Sequence, residues 1–224
     1  MTLALLLPML GFHASAQTSE LLPEIDTYLK LNPVVRINFQ AKETREGGDP
    51  VTAEIGPSLD FYVKHLRRLE KITQFDLDDS KSQLAVFTVG YRYLPTPGQP
   101  PTNRMRTEAI FYFPLKVGIL FSDQNRADLN WSTNFTWRYR NRIQFERVLT
   151  IRSYHPAPYL SAEFFYESQF AKWSDTALYA GCLFPLGKHV EFNPYYEHQN
   201  NTGKSPNSQF NQLGLMLNLY FAIK

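Results

Sequence analysis

Three arginines at alternate positions are the first residues in this sequence whose type and spacing could do chemistry. The stretch "FTWRYRNRIQFERV" carries Arg138, Arg140 and Arg142. Side chains of a β-strand point alternately to opposite faces, so in a strand these three guanidinium groups share one face. Guanidinium groups bind phosphate and carboxylate through strong, often paired, hydrogen bonds. The spacing therefore allows two interpretations, an anion-binding site or an internal network of ion pairs with carboxylates.

We favour the ion-pair network, because acidic residues occupy the same face of neighbouring predicted strands. The expected acidic partners of the arginines are Glu108, Glu146, Glu163 and Glu167, and Arg106 is a further basic member. Buried charges are costly unless they are paired, so a narrow interior requires such a network.

Other chemistry is poorly represented in the chain. The single cysteine, Cys182, excludes an internal disulfide, and the five histidines form no Cys/His metal spacing. We therefore expect no metal and no cofactor. The formal net charge is only +2, which gives no indication of a nucleic-acid partner.

The elements that must position these charges are β-strands. In "VVRINFQAK" the residues Val35, Ile37 and Phe39 alternate with Arg36 and Asn38, so one face is apolar and the other polar. The pattern recurs along the chain and predicts ten strands, with a possible extra strand over residues 24–31. The predicted fold is an all-β, antiparallel transmembrane β-barrel of about 10–12 strands.

The direction of the apolar face separates two classes of protein. With that face inside, the chain would be a soluble periplasmic ligand-binding barrel. Segments such as 34–46 and 135–151 are long enough to span a bilayer, which takes about 9–11 residues of strand. Aromatic residues are also frequent near the predicted strand ends, as in the aromatic girdles of membrane barrels. These features favour a barrel with its apolar face toward lipid and its charges in the lumen.

The chain also predicts export. Residues 1–16 combine an apolar run with Ala14-Ser15-Ala16, the pattern of a signal peptide and its cleavage site. Residues 17–33 form an N-terminal segment that could add the extra strand, and 34–224 form the barrel domain. The connections are predicted to be long at one end of the barrel and mostly short at the other. We expect the bacterial outer membrane as the location, with outer-membrane lipid and the barrel assembly machinery as partners.

Two stretches carry a family resemblance. The run "FTWRYRNRIQFERV" and the ending "GKHVEFNPYYEHQNNTGKSPNSQFNQLGLMLNLYF" resemble a bacterial family called domain of unknown function 2490. That family is grouped with outer-membrane β-barrels, so the resemblance implies the barrel fold over roughly residues 24–221. It implies no particular activity.

The stretch "YEHQNNTG" is similar to the H-x-S-N-x-G motif of outer-membrane lipid A deacylases. The resemblance places His198 on the motif histidine, Asn201 on its asparagine and Gly203 on its glycine. The position of the serine nucleophile is Asn200, and that of the acid is Gln212. An ester hydrolase needs a hydroxyl nucleophile and an acid that orients the histidine, so both departures remove chemistry.

The leading functional hypothesis is therefore a non-enzymatic barrel, either structural or a narrow pore with a charge-filled lumen. Small barrels of about eight strands are filled by side chains, whereas open channels have about 16 strands. The alternatives are a lipid-modifying enzyme of the deacylase type and a soluble periplasmic ligand-binding barrel.

Overall fold

The computed structural model describes residues 17–63, 75–203 and 205–223, and they form a closed all-β barrel. The predicted signal peptide lies outside these residues. The strands are β1 (Gln17–Asn32), β2 (Val35–Glu46), β3 (Asp49–Tyr62), β4 (Ala85–Thr96), β5 (Gln99–Pro114), β6 (Ile119–Trp131), β7 (Phe135–Arg147), β8 (Ala157–Glu167), β9 (Lys172–Pro185), β10 (Val190–Asn201) and β11 (Ser208–Ala222). In the described part of the chain, no helix is both long and apolar enough to cross a membrane.

The barrel closes between its first and last strands. Each strand pairs with its neighbour in sequence in antiparallel fashion, and β1 also pairs with β11 in parallel. With an odd number of strands joined in antiparallel succession, the first and last strands run in the same direction, so the closing pair has to be parallel. The predicted barrel class and strand number are confirmed, and the N-terminal segment is a full strand of the wall. The parallel closure was not predicted.

The strands are strongly tilted, as barrel closure requires. A line of directly opposite residues that starts at Lys30, near the end of β1, crosses Arg140 in the middle of β7 and Asp175 near the start of β9. It continues through Asn201 to Ser208, whose next residue in β11 lies opposite Gln17 at the start of β1. Over one circuit of the wall, the line of paired residues thus shifts from one end of the barrel to the other.

The connections differ from the expected long loops. At the end where β1 begins, β2 and β3 are joined only by Gly47 and Gly48, both with positive φ, and β4 and β5 by Pro97 and Gly98. The polar stretches that were predicted to form long loops mostly continue the strands. The prediction of long connections at this end was therefore wrong. The long connection lies at the opposite end, between β3 and β4, where residues 75–84 are described.

The apolar face is on the outside. Leu160 and Leu178 are 65% and 60% exposed, whereas the side chains of Arg92 and Asp128 are inaccessible to solvent. Apolar side chains point out of the barrel along every strand, and most charged side chains point into it. The barrel therefore has the opposite polarity to a soluble β-barrel, whose apolar side chains face inward.

Small apolar clusters are interspersed with the charges inside. One contains Leu22, Phe165, Tyr179 and Tyr195. Glycine makes room for one of these rings, since a Cβ at Gly214 would lie 2.0 Å from the Tyr195 ring. The interior is thus a mixed core of tyrosines and ion pairs.

Candidate functional site

The lumen contains a cavity of about 540 Å³ lined mainly by polar and charged side chains. Arginines on β5, β6 and β7 supply one part of its wall, and acids on β1 and β10 supply another. The basic residues are Arg104, Arg106, Arg126, Arg138, Arg140 and Arg142, and the acidic ones are Glu24, Asp26, Glu191 and Glu197. This cavity is the candidate site.

Glu163 on β8 is the centre of one ion-pair cluster. Its two carboxylate oxygens accept from Arg140 Nε and Nη2 at 2.6 and 2.9 Å, and one also accepts from Arg142 at 2.8 Å. The Tyr179 hydroxyl lies 2.7 Å from Glu163 and 2.9 Å from Glu197. Bidentate pairing fixes the geometry as well as the charge, so this cluster ties β7, β8, β9 and β10 together.

Glu54 and Asp128 are centres of a second cluster, on β3 and β6. Arg104 donates to Glu54 at 2.8 Å, and Arg126 donates to Asp128 at 2.7 Å. Arg138 reaches the second oxygen of Asp128 at 3.3 Å. These pairs connect strands across the lumen as well as along the wall.

One arginine is satisfied mainly by groups other than carboxylates. Arg92 on β4 donates to Gln40 at 2.9 Å and to the carbonyl oxygens of Pro57 and Tyr91 at 2.8 and 2.9 Å. Gly90 lies beside it, and a Cβ there would lie 2.6 Å from Ser58 and 3.3 Å from the guanidinium. A glycine at this inward position therefore leaves space for the arginine.

The segment 75–84 occupies the end of the lumen where β11 ends. It contains a short 3-10 helix over Asp79–Ser82, and Ser80 and Lys81 are buried. Lys81 donates to Asp76 at 2.6 Å and to Glu146 of β7 at 2.8 Å. Arg36 of β2 donates to Asp78 at 2.6 Å. We call residues 75–84 the plug.

The electrostatics of the plug favour its charged form. Burial by itself raises the pKa of Asp78, but Arg36 and Lys81 more than offset it and the pKa is lowered. Burial by itself lowers the pKa of Lys81, yet Asp76 and Glu146 raise it well above its ordinary value. Both groups are therefore ionised at neutral pH.

All eight residues of the predicted charge network face the lumen. Arg140 and Arg142 pair with Glu163, Arg138 with Asp128 and Glu167, and Arg106 with Glu108. Glu146 is different, because its basic partner in the structure is Lys81 of the plug.

Sequence reasoning missed several members of the site. Glu24 and Asp26 alternate with the outward Ile25 on β1, so the period of two could have placed them inside. Arg104 lies on the same inward face of β5 as Arg106, just before the position at which this strand was predicted to begin. Lys81 carried no such signal, since the plug has no strand periodicity.

The residues of the deacylase-like stretch do not assemble into a catalytic site. His198 points outward and its Nδ1 lies 2.8 Å from the side-chain oxygen of Asn211. Gln212 points inward, lines the lumen and hydrogen-bonds to Glu20. Asn201 accepts from the backbone N–H of Gly203 at 3.0 Å, which shapes the turn after β10. The position of the nucleophile, Asn200, offers no hydroxyl.

No group of three or more His, Cys, Asp or Glu side chains within residues 17–63, 75–203 and 205–223 is placed to bind a metal ion. Cys182 is a free thiol on the outward face of β9, beside the backbone carbonyl of Leu183.

An apolar exterior, a wall of eleven strands and an ion-paired interior define a closed β-barrel with a charged lumen. The chain belongs to the family described as protein of unknown function (DUF2490), whose family model matches residues 79–211. That match covers residues 79–84 of the plug and the wall from β4 into β11. No curated protein matches the chain.

Proposed function

We propose that this protein is a β-barrel of the bacterial outer membrane whose outward apolar face contacts lipid. The carrying observation is the inverted polarity, in which Leu160 and Leu178 are largely exposed while Arg92 and Asp128 are inaccessible. In water such a surface would be an aggregation liability, because exposed apolar patches mark interaction or membrane surfaces. In a bilayer the same arrangement is the stable one, since the closed barrel leaves no unpaired strand edge.

The distribution of outward aromatic residues supports the same location. Trp131, Trp137 and Trp173 lie near the hairpin ends of their strands, where Trp137 stacks on Tyr166 with ring centroids 5.3 Å apart. At the opposite end, outward phenylalanines of β5, β6 and β7 contact one another. Two aromatic girdles that flank an apolar band about 25 Å tall are characteristic of outer-membrane barrels.

We further propose that the lumen is a polar core rather than an open channel. The ion-pair clusters around Glu163 and Asp128 cross it, and Lys81 and Asp78 fasten the plug at one end. The protein would then act as a structural barrel, or as a narrow pore that passes only small ions. It would have no hydrolase activity.

The test is electrophoresis of membrane fractions with and without boiling. A folded membrane barrel should enter the membrane fraction and migrate differently when unheated. Recovery of the protein from the soluble periplasm, with one mobility under both conditions, would contradict the proposal and favour the soluble barrel.

The cavity supports a second candidate role, the binding of a small anion. The Nε groups of Arg138 and Arg142 are buried and have no hydrogen-bond partner among the described residues. Planar guanidinium groups suit phosphate or carboxylate. Titration of the folded protein with inorganic phosphate, followed by calorimetry, tests this role, and Arg142→Gln should abolish any heat of binding.

A further inference from the structure

A row of polar side chains crosses the apolar outer face of the barrel. The residues of the row belong to consecutive strands, from β6 to β11, and each lies directly opposite the next in the register. They are Asn125, Asn141, Phe164, Thr176, Asn200 and Gln209. Because the strands are tilted, the row rises from the middle of β6 and β7 to the hairpin end of β11. Five of the six side chains carry an amide or a hydroxyl group.

The lower part of the row is internally hydrogen-bonded. Asn141 donates from its amide to Asp123 at 2.7 Å and to Asn125 at 3.2 Å, and the Tyr139 hydroxyl also donates to Asn125. All four residues point outward from the central parts of β6 and β7. Ionisable and polar side chains at the depth of the hydrocarbon are costly, and where they occur they usually mark a functional site.

The upper part of the row borders a groove of about 330 Å³. Phe164 and Trp173 give the groove two aromatic surfaces, and Asn141, Thr176 and Asn200 give it hydrogen-bonding groups. A concave site with apolar walls and a few polar groups is the usual form of a small-ligand site, for which volumes of about 300–1,000 Å³ are typical.

A β-bulge interrupts the wall behind the groove. The register between β8 and β9 shifts at Phe165 and Tyr166, so that Ser174 has no residue opposite it. Ser174 and Asp175 are both buried, and Asp175 accepts from Gln199 on the lumen side. Bulges are frequent next to functional sites.

We propose that this groove binds one lipid molecule through an uncharged head or linkage region that is rich in hydroxyl and amide groups. The proposal rests on the membrane location proposed above and specifies a ligand for the outer surface. The outward side chains of the groove are aromatic, amide and hydroxyl groups, and no described basic residue lines it. The amides of Asn141 and Asn200 and the hydroxyl of Thr176 would exchange hydrogen bonds with hydroxyl and amide groups of the lipid, whereas the groove offers no cation to a phosphate.

The neighbouring surface suits an acyl chain. Two residues beyond Thr176 on the same face of β9 lies Leu178, and four residues before Phe164 on β8 lies Leu160. These leucines are the strongly exposed residues that show the outward polarity. A chain that leaves the groove toward the middle of the barrel would lie against both. The volume of the groove fits a lipid head rather than a folded protein.

The experiment uses full-length protein in phosphatidylcholine vesicles that contain a small fraction of a photoactivatable lipid. The test probe is a monoglycosylceramide with a diazirine in its acyl chain, because it is uncharged and carries hydroxyl groups and an amide. The comparison probe is phosphatidylcholine with the same chain. After illumination, mass spectrometry gives the labelling ratio of the two probes on peptides of residues 157–185.

We expect the glycosylceramide to label these peptides several-fold more than phosphatidylcholine does. Asn141→Leu and Asn200→Leu should bring that ratio close to one, whereas Thr107→Leu, on the outward face of β5 away from the groove, should leave it unchanged. Each variant is first required to show the folded, unheated electrophoretic mobility, so that loss of folding is recognised.

The results that would overturn the proposal are distinguishable. Equal labelling by both probes, or a preference that survives Asn141→Leu and Asn200→Leu, would contradict the groove while leaving the membrane location intact. Labelling by neither probe, together with a single electrophoretic mobility, would contradict both. Preferential labelling by phosphatidylcholine would also exclude an uncharged head.

Discussion

The ammonium group of Lys81 in the plug donates to the carboxylate of Glu146 on β7 at 2.8 Å, across 65 residues of sequence. Both side chains are almost inaccessible, at 10% and 4% exposed. A pair in this position joins the connection between β3 and β4 to the far wall of the barrel. It is therefore one of the contacts that hold the plug in this end of the lumen, together with Arg36 and Asp78.

Removal of this contact should open the barrel. We expect Lys81→Met to raise ion flux through vesicles that contain the protein several-fold, because Asp76 and Glu146 lose their shared cation and the plug loses its attachment to β7. The control is Lys116→Met, which changes an exposed lysine in the connection between β5 and β6. Equal flux for the parent protein and Lys81→Met would show that the plug does not close the lumen.

The plug should also respond to acid. The pKa of Asp78 is lowered in the folded state, so its contribution to stability is complete above the unfolded pKa of about 3.9 and is lost as the pH falls below that value. Lys81 has a raised pKa, so its contribution is complete below about pH 10.4 and does not decline in acid. Flux measured from pH 7 to pH 3 should therefore rise below about pH 4.

The variant Asp78→Asn isolates this group. It should show raised flux at pH 7 and a weaker acid response than the parent protein, because the carboxylate that titrates is gone. A parent-like acid response in Asp78→Asn would assign the effect to other carboxylates.

The cluster around Glu163 predicts a large loss of stability. Glu163→Gln leaves Arg140 and Arg142 without their shared carboxylate, and removal of one partner from a buried ion pair costs about 3–5 kcal/mol. The free energy of unfolding from urea titration in vesicles measures the loss. Glu43→Gln, which removes the partly exposed pair with Arg45, should cost only about 0–1 kcal/mol. Similar losses in the two variants would contradict the importance of the internal network.

The protein should not remove acyl chains from lipid A. His198 and Gln212 lie on opposite faces of the wall, and Asn200 cannot act as a hydroxyl nucleophile. Mass spectra of lipid A from cells with and without overexpressed protein should therefore be identical. If the overexpressed protein removes an acyl chain and the His198→Ala variant does not, the lipid-modifying enzyme would again be the favoured function.

The faces of the strands were predictable from the sequence because a period of two assigns every side chain to one side. Arg140 and Phe39 were placed correctly by this rule alone. The hairpin ends were misread, because polar residues before Gly47 were taken as loop although strands of a tilted barrel continue beyond the apolar band. Two adjacent glycines are a signal for a tight hairpin, and they were the available clue.

Tertiary contacts explain what the sequence could not provide. The plug has no periodicity, so the pairing of Lys81 with Glu146 follows only from the folded barrel. The outward polar row was visible only as a weak pattern in β6, where Asp123 and Asn125 interrupt the apolar positions. Its continuity from Asn125 through Asn141 and Asn200 to Gln209 depends on the register of five strand pairs, which no local pattern specifies.

The most direct test of the outward apolar face compares two adjacent residues of β11. Leu215 points out and Met216 lines the lumen. A cation facing lipid near the middle of the bilayer costs about 2–4 kcal/mol, so Leu215→Arg should impair insertion into vesicles, as should Phe39→Arg on β2. Met216→Arg places its charge among the lumen carboxylates and should insert more completely, and Arg36→Leu should act on the plug rather than on insertion. The measurement is the fraction of protein with the folded, unheated electrophoretic mobility. We predict a clearly lower fraction for Leu215→Arg than for Met216→Arg, and the reverse order would show that the apolar face does not contact lipid.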